Sequence, residues 1–394
     1  MSFQILALIS LLALVGPLLA LPRRLRAPVV LGELAVGVAF GATGTQTLHT
    51  QDRTFAFLAN LGFALVMFVA GSRVPVRDPR LQSALGPGLL RAVAVAALAL
   101  VAAAVLAHLF QTGHTALYTV LMASSSAALV LPIVDSLKLS GMPTLELLPQ
   151  VALADTLCIV ALPLAIDPTH AGRAALGSAA VLATAGVAFL MLRYMEVTGI
   201  RGRVHRVSED HKFALELRIS LMILCGLAAL ATKTHVSIML AGFSLGLAFA
   251  AIGEPRRLAR QLFALTEGFL GPLFFVWVGA SLDLRALGHH RSYVLLGVAL
   301  GAGALICHCA MKVSGQPLAL GALASAQLGV PVAAVTIGSE LHVLKPGEAA
   351  GLILGALVTI SVASVAAGRA AGAAPAATTG KGASATAADP PGNT

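Results

Sequence analysis

Long apolar runs recur from one end of this sequence of 394 residues to the other. A run of about 17–25 such residues, folded as a helix, crosses the hydrocarbon core of a bilayer. Because such runs fill most of the chain, they predict a membrane protein of many helices. We predict thirteen spans, at residues 3–21, 28–44, 54–71, 88–110, 114–137, 143–166, 172–192, 212–232, 234–250, 262–281, 291–311, 316–338 and 347–368.

The composition excludes a soluble fold. Hydrophobic residues make up 58% of the chain and charged residues 11%, whereas soluble domains carry roughly 25% charged residues. Residues 3–21 follow no basic segment and precede no small-residue cleavage site, so we expect a helix rather than a signal peptide. The four cysteines lie inside apolar spans, which predicts neither disulfides nor a zinc site. No P-loop or dinucleotide-binding motif occurs, so we expect no nucleotide and no cofactor.

Lys and Arg accumulate in alternate loops, with 18 on one side of the membrane and 6 on the other. The richer side is the cytoplasmic side, so we expect the N-terminus outside and the C-terminus inside, in the inner (plasma) membrane. The same bias accounts for the net charge of +9 without nucleic-acid binding. Residues 1–370 then form the transmembrane domain, and residues 371–394, rich in Ala, Gly, Thr and Pro, form a disordered cytoplasmic tail.

An internal repeat relates the two halves of this domain. Gly37–Phe40 recurs as Gly246–Phe249, 209 residues later. Gly71 and Gly279 are 208 residues apart, and an Arg follows each of them six residues later. The shift corresponds to seven spans, an odd number, so the second copy enters the membrane inverted, as in many secondary transporters. We predict inverted repeats at about 1–166 and 212–368, joined by a linker helix at 172–192.

Two corresponding spans contain small polar residues followed by a proline. Span 114–137 carries Ser124, Ser125 and Ser126 before Pro132. Span 316–338 carries the stretch Ser325–Gly329 before Pro331. Close helix packing also favours small residues, but their paired positions favour two broken, crossing helices at the midplane, where transporters bind their substrates.

Asp155 lies at the centre of span 143–166. Acidic residues at this depth are rare and usually functional, and burial disfavours their charged form. Such a carboxylate binds either a proton or a small cation, and this exclusion is the basis of antiport. The alternative is a structural Asp paired with a buried base, but no Lys or Arg lies at a comparable depth. We therefore predict a Na⁺ and proton site at Asp155.

Further oxygen ligands would come from neighbouring hydroxyl groups, which we place on Thr156, Ser125 and Ser126. For each of them, a hydrogen bond back to its own helix is the alternative. Glu33 and Glu267 lie nearer the ends of their spans and either line a cation funnel or reach interfacial water. His108 and His308 also lie near span ends, and we expect both at the membrane interface.

These segments resemble the monovalent cation:proton antiporter-2 family from about Leu21 to Ser364. The stretches that carry the resemblance are LPRRLRAPVVLGELAVGVAFG, LANLGFALVMFVAGS, SSSAALVL, ALADTLCIVALPL and GPLFFVWVGASLDL. The resemblance implies a homodimer in which a panel domain supports a mobile core, made of spans 4–6 and 11–13, that carries the ion by an elevator-like movement. Many relatives have a polar residue at Ala154, electrogenic relatives a Lys at Gly303 to pair with it, and relatives often a Gln-Arg-Gly-Glu-like stretch at Gln327–Val330. This chain differs at all three positions.

We therefore predict a secondary antiporter that exchanges a monovalent cation, Na⁺ first, for H⁺. The alternatives are a potassium/proton exchanger and a membrane sensor or scaffold of the same fold that no longer transports. A sodium-coupled organic-anion symporter would need a larger polar cavity. An enzyme is disfavoured because the sequence has neither an H-E-x-x-H motif nor a second central carboxylate.

Overall fold

A computed structural model describes residues 2–21, 29–74, 76–77, 79–166, 171–200, 202–203, 206, 211, 213–234, 236–253, 256–282, 285, 291–345 and 347–373, and within these residues it contains helices and loops only. The helices of the first half are α1 (Phe3–Ala13), α2 (Val15–Ala20), α3 (Val29–Phe40), α4 (Arg53–Ser72), α5 (Pro79–Leu109), α6 (Thr115–Ala123), α7 (Ala127–Ser136), α8 (Met142–Ile166) and α9 (Ala171–Val197). Those of the second half are α10 (Leu215–Lys233), α11 (Ile238–Ile252), α12 (Arg256–Leu265), α13 (Gly271–Ser281), α14 (Arg291–Cys309), α15 (Leu318–Ala324), α16 (Gly329–Glu340) and α17 (Glu348–Ala373).

Helix occupies every predicted span. Nine helical segments of the described chain are long and apolar enough to cross a membrane, and shorter helices occupy spans 3–21, 28–44, 114–137 and 234–250. Large apolar side chains of α5 and α9 point out of the protein, including Leu89, Val93, Leu100, Val101 and Val105 on α5 and Leu182, Val187 and Leu190 on α9. So many outward-facing apolar side chains favour contact with lipid rather than with water.

The structure departs from the predicted boundaries at several helix ends. Helix α5 begins at Pro79, before the predicted start of its span at residue 88. Span 3–21 is divided into α1 and α2 at Leu14, and a π-helical turn, Thr266–Leu270, joins α12 to α13. Hydropathy detects only the apolar part of a helix, so polar extensions escape it. Most of the predicted tail, from residue 374 onward, lies outside the described residues.

Both predicted breaks occur, and the sequence explains them. Helix α6 ends at Ala123 because Ser124 takes an extended backbone conformation, while its hydroxyl donates to the Leu121 carbonyl at 2.7 Å. Helix α15 ends at Ala324, and the Ser325 hydroxyl donates to the Ala322 carbonyl at 2.7 Å. Serine hydroxyls compete with the backbone in this way and favour helix ends. Residues 124–126 and 325–328 thus separate two pairs of half-helices.

Helices α3, α4, α11 and α13 form a group that we call the frame, in which α3 packs against α13 and α4 against α11. Glycines bring both pairs of backbones together. A Cβ on Gly37 would lie 2.8 Å from the Cα of Gly279, and one on Gly246 would lie 2.9 Å from the Cα of Gly71. Contacts this close have no room for a side chain, so each pair of frame helices is joined backbone to backbone.

A second group, which we call the core, contains the two broken helices and the long helices around them. In the first half α5 packs against α6 and α8, and in the second half α14 packs against α15 and α17. The halves are interleaved, since α14 also contacts α5 and α6, and α16 contacts α8. The core therefore places residues from both halves of the chain around the breaks.

Candidate functional site

The two broken helices meet at their breaks. The backbone N–H of Ser126 donates to the carbonyl of Ala326 at 2.7 Å. The ends of four half-helices converge there: α6 and α15 present carbonyl groups, and α7 and α16 present N–H groups that lack partners within their own helices. The crossing thus offers both negative and positive partial charges within the buried interior of the protein.

Asp155 lies at this crossing. Its side chain on α8 is 1% exposed, and its Oδ2 atom accepts a hydrogen bond from the backbone N–H of Ala127 at 2.8 Å. Ala127 is the first residue of α7, so the carboxylate lies at the positive end of a helix. Asp155, which the sequence places in the middle of its span, is thereby bonded to a broken helix from the same half of the chain.

The three hydroxyl groups predicted as ligands differ in their hydrogen bonding. Ser125 and Ser126 are buried, and neither side-chain oxygen has a hydrogen-bond partner. Thr156 is only half-buried, and its hydroxyl donates to the Ala152 carbonyl at 2.8 Å. Thr156 thus makes a hydrogen bond to its own helix, which was the alternative to binding the ion. Buried polar atoms without partners are uncommon, so the two serines retain oxygen atoms that could bind an ion.

This donor set fits a hard monovalent cation. Carboxylate and hydroxyl oxygens are ligands of hard cations, whereas transition metals favour sulfur and imidazole. Across the described ranges, no three His, Cys, Asp or Glu side chains are grouped so that they could hold a metal ion. Apolar side chains of Ala154 and Cys158 lie beside Asp155 on α8 and are buried as well. The site thus pairs one carboxylate with oxygen atoms of neutral groups.

The structure buries His308 inside the protein, which its sequence position does not indicate. Its side chain is 1% exposed, and neither ring nitrogen has a hydrogen-bond partner. Sequence reasoning placed it near a span end, but α14 continues as a 3₁₀ turn to Ser314, so His308 lies well inside the protein. His108, by contrast, is exposed near the end of α5, as expected.

Glu33 and Glu267 belong to the frame side of the protein. Glu33 is buried on α3, where a Cβ on Gly16 of α2 would lie 2.9 Å from its Cγ. Glu267 lies in the π-helical turn, and its carboxylate is 3.7 Å from the Arg73 guanidinium. Neither is among the residues around the crossing, so a part in a cation funnel remains a prediction.

Two further carboxylates, which sequence reasoning did not single out, hold the outer ends of the broken helices. Glu348, at the start of α17, is fully buried; its Oε1 accepts from the Tyr118 hydroxyl at 2.7 Å and lies 2.6 Å from Nδ1 of His114. Its Oε2 accepts from the backbone N–H of Lys345 at 2.9 Å. Glu348 therefore ties the start of α17 to the start of α6.

Glu146 occupies a similar place near the start of α8. Its Oε2 lies 2.8 Å from Nη1 of Arg91, whose Nε and Nη2 atoms donate to the side chain and the carbonyl of Ser314 at 2.9 and 3.1 Å. Beside this ion pair, the Gln316 amide donates to the Gln150 side chain at 2.9 Å. These contacts tie α8 and α5 to the turn that precedes α15.

A cavity of about 580 Å³ separates part of the core from the frame. Its lining includes Pro163 of α8 and Val332 of α16 on the core side. On the frame side it includes Phe63 and Phe274, whose rings stack with centroids 4.6 Å apart. Asp155 is not among the lining residues, and its carboxylate is not exposed in the cavity.

Comparisons with known proteins agree with this picture. A family model described as "Sodium/hydrogen exchanger, transmembrane" matches residues 10–370. The Bacillus subtilis (strain 168) protein YjbQ, named as a candidate Na(+)/H(+) antiporter, is 24% identical over 380 residues, or 91% of this chain. The chain spans 61% of the length of YjbQ.

Solved structures show the same fold. The sodium proton antiporter MjNhaP1 from Methanocaldococcus jannaschii at pH 8 matches with a TM-score of 0.62 and 15% identity, over 93% of this chain and 97% of that chain. A structure of the same antiporter from a 3D EM map matches with a TM-score of 0.69 and 14% identity, over 94% and 97%. At sequence identities this low, the similarity to these structures shows a shared fold and no more.

Proposed function

This chain belongs to the sodium/hydrogen exchanger family, and we propose that it exchanges Na⁺ for H⁺ across the membrane with Asp155 carrying each ion in turn. One observation carries the proposal: a buried carboxylate accepts a hydrogen bond from the first residue of a broken helix, and the two residues before that helix, Ser125 and Ser126, carry buried hydroxyls without partners. The same site can hold a proton on Asp155, or a sodium ion between Asp155 and the oxygens of Ser125 and Ser126.

Competition at one carboxylate supplies the coupling. A buried charge without a partner is costly, so Asp155 is stable either protonated or neutralised by a bound cation. The Ala127 N–H and the positive end of α7 support the carboxylate while it exchanges one partner for the other. Because proton and Na⁺ need the same oxygens, each transfer in one direction leaves the site free for the other ion.

We propose an elevator-like movement of the core past the frame. The close glycine contacts within the frame support the idea of a fixed part. The contacts of Glu348 and Glu146, which tie helices of the core to each other, support the idea of a part that moves as a unit. The cavity between the two groups supplies space along which the core could shift.

Contacts between the halves support the predicted inverted repeats. Exchange of the two halves would turn the close contact between Gly37 and Gly279 into the equally close contact between Gly246 and Gly71. The same exchange, with an offset of 202 residues, would relate Glu146 to Glu348. Each of these carboxylates lies near the start of a long helix. Glu348 contacts the start of α6 directly, and Glu146 pairs with Arg91, which reaches Ser314 in the turn before α15.

The predicted orientation places the cavity on the outer side. Its lining includes Arg173, Thr232, Thr234 and Leu341, which lie at helix ends or in loops on the side assigned to the outside by the distribution of Lys and Arg. On that orientation Na⁺ enters the cavity from outside the inner membrane. The homodimer rests on the family resemblance.

A dye-based assay in everted membrane vesicles tests the function. A pH gradient is established, and Na⁺, Li⁺ and K⁺ are added separately. We expect Na⁺ to dissipate the gradient. A response to K⁺ alone would make the protein a potassium/proton exchanger, and no response from inserted, folded protein would favour the sensor or scaffold.

A further inference from the structure

The two carboxylates that join helices at the ends of the core differ in the base that pairs with them. The Oε2 atom of Glu146 lies 2.8 Å from Nη1 of Arg91, whereas the Oε1 atom of Glu348 lies 2.6 Å from Nδ1 of His114. An arginine stays charged at every physiological pH, but a histidine changes its charge between about pH 5 and 8. The contact between Glu348 and His114 is therefore the one that responds to pH.

His114 can exchange protons with water, although its partner is shielded from water. Its side chain is 24% exposed, whereas that of Glu348 is 0% exposed. The carboxylate also accepts from the Tyr118 hydroxyl at 2.7 Å and from the backbone N–H of Lys345 at 2.9 Å, but these two donors are neutral. Because a buried charge needs a partner of opposite charge, a proton on His114 strengthens its contact with Glu348, and loss of that proton weakens it.

The other charged and titratable groups placed around this contact ordinarily change their charge only near pH 10, since they are tyrosines and a lysine. Within the described residues these groups are Tyr118 on α6, Lys345 in the loop before α17, and Tyr293 on α14, which lies against the first turn of α17. The Lys345 ammonium donates to the Gln111 carbonyl at 2.7 Å. Near neutral pH, the charge of the contact thus changes through His114.

This contact is linked to the ion site through α6. His114 precedes the first residue of α6, and the nine residues of that helix end at Ala123, immediately before the break. A helix of this length spans about 13 Å. On the other side, Glu348 begins α17, which packs against both α15 and α16. The contact therefore joins the first broken helix to the helix that supports the second one.

We propose that His114 and Glu348 form a pH-dependent contact, which we call the latch, that holds α6 against α17 while His114 is protonated and keeps the crossing in the arrangement that binds Na⁺. A carboxylate partner favours the protonated histidine, so the stabilisation is present at acid pH and is lost as the pH rises. On the predicted orientation the latch lies at the outer end of the core, so His114 senses the external pH. The effect on Na⁺ rests on the proposed function, whereas the latch itself does not.

Two substitutions fix the charge at position 114. His114→Arg is charged at every pH tested, and His114→Gln is neutral. Hydrogen exchange measures the latch through the amides of Tyr118, which donates to the His114 carbonyl, and Lys345, which donates to Glu348. Between about pH 5.5 and about pH 8.5, we expect their protection factors in the wild type to fall about fivefold. Protection should stay high in His114→Arg and low in His114→Gln, without a change with pH in either variant.

Two controls accompany this measurement. The amide of Gln316, which donates to the Met311 carbonyl near Arg91 at the other end of the core, should keep its protection over the same range. His108→Gln, the same change at an exposed histidine, should retain the pH dependence of the wild type. Either variant at position 114 is sufficient for the comparison, so the failure of one of them to fold leaves the test intact.

Transport in proteoliposomes tests the link to the ion site. At about pH 8.5 we expect the KM for Na⁺ to be about fivefold lower in His114→Arg than in the wild type, and at about pH 5.5 about fivefold higher in His114→Gln. Competition by protons at Asp155 affects all three proteins alike, so it cancels when they are compared at one pH.

The outcomes separate the latch from the proposed function. If the wild type transports no cation but its protection factors follow the expected order, the proposed function fails and the latch stands. Wild-type protection that does not change with pH would overturn the latch, and so would His114→Gln protection that falls as it does in the wild type. A KM unchanged in both variants at both pH values would overturn the effect on Na⁺.

Discussion

The hydroxyl of Tyr118 donates a hydrogen bond to the carboxylate of Glu348 at 2.7 Å, although the two residues are 230 positions apart in the chain. Tyr118 lies in the first turn of a broken helix from one half, and Glu348 begins the last helix of the other half. Both side chains are fully buried. This hydrogen bond thus joins the two halves of the core at one end.

Loss of this bond should loosen the core. Tyr118→Phe leaves a buried carboxylate oxygen with one donor fewer, so we expect the free energy of unfolding to fall by about 1–3 kcal/mol. Titration with SDS in mixed micelles measures it. Tyr194→Phe, at a tyrosine that is 64% exposed on α9, is the control and should leave stability unchanged.

Asp155→Asn should abolish Na⁺-dependent proton movement. The amide has nearly the same size as the carboxyl group but does not take up and release a proton. The variant should still fold and insert, because Asn retains an oxygen for the Ala127 N–H. Glu196→Gln, the same chemical change on an exposed residue of α9, should transport normally. Exchange by folded Asp155→Asn protein would move the carrier to Glu33 or Glu267.

The serines at the break should set the affinity for Na⁺. We expect the double variant Ser125→Ala, Ser126→Ala to raise the KM for Na⁺ about tenfold, or roughly 1.4 kcal/mol of lost binding. Thr156→Ala should have little effect, because that hydroxyl is already bonded to Ala152. Transport measured over a range of Na⁺ concentrations compares them, and equal effects from all three positions would contradict the proposed ligand set.

The frame should tolerate no side chain at its closest contacts. We expect Gly71→Ala to destabilise the protein by about 1–3 kcal/mol, because the added methyl group would meet the backbone of α11. Gly186→Ala is the matched change on α9, where a Cβ has no neighbour within 4 Å. That variant should keep its stability or gain up to about 1 kcal/mol from helix propensity.

One carboxylate that carries either a proton or a Na⁺ gives the moving core the same charge in both loaded states. Exchange should therefore be electroneutral and independent of the membrane potential. That potential contributes about 2.3 kcal/mol per 100 mV only when a net elementary charge crosses the membrane. Proteoliposomes clamped with K⁺ and valinomycin test this. If the Na⁺-dependent pH change scales with the imposed potential, a second charged group takes part, and His308 would be the first to examine.

Some of these features could be predicted from the sequence, because their causes are local. Hydropathy located the spans, and the serines with their nearby prolines located the breaks, since competition with the helix backbone is a property of a few neighbouring residues. The depth of Asp155 followed from counting along one apolar run. The membership of the antiporter family, expected from several such stretches together, is confirmed by the family match.

Other features depend on packing between distant segments. Nothing near Glu348 or Glu146 in the sequence reveals that Tyr118 or Arg91 completes its site. The hydroxyls of Ser125 and Thr156 look alike in sequence, and only the folded chain separates a free hydroxyl from a bonded one. The burial of His308 depends on how α14 packs against its neighbours, which a place near the end of a span does not reveal.

The paired glycines of the frame have a consequence for how this sequence can vary. A larger residue at one position of a contact is often rescued when its neighbour becomes smaller. At Gly37 and Gly279, and again at Gly71 and Gly246, the neighbour is already glycine and has nothing left to lose. A substitution at any of these four positions therefore has no rescuing partner within its own pair, and a suppressor would have to act by shifting a whole helix.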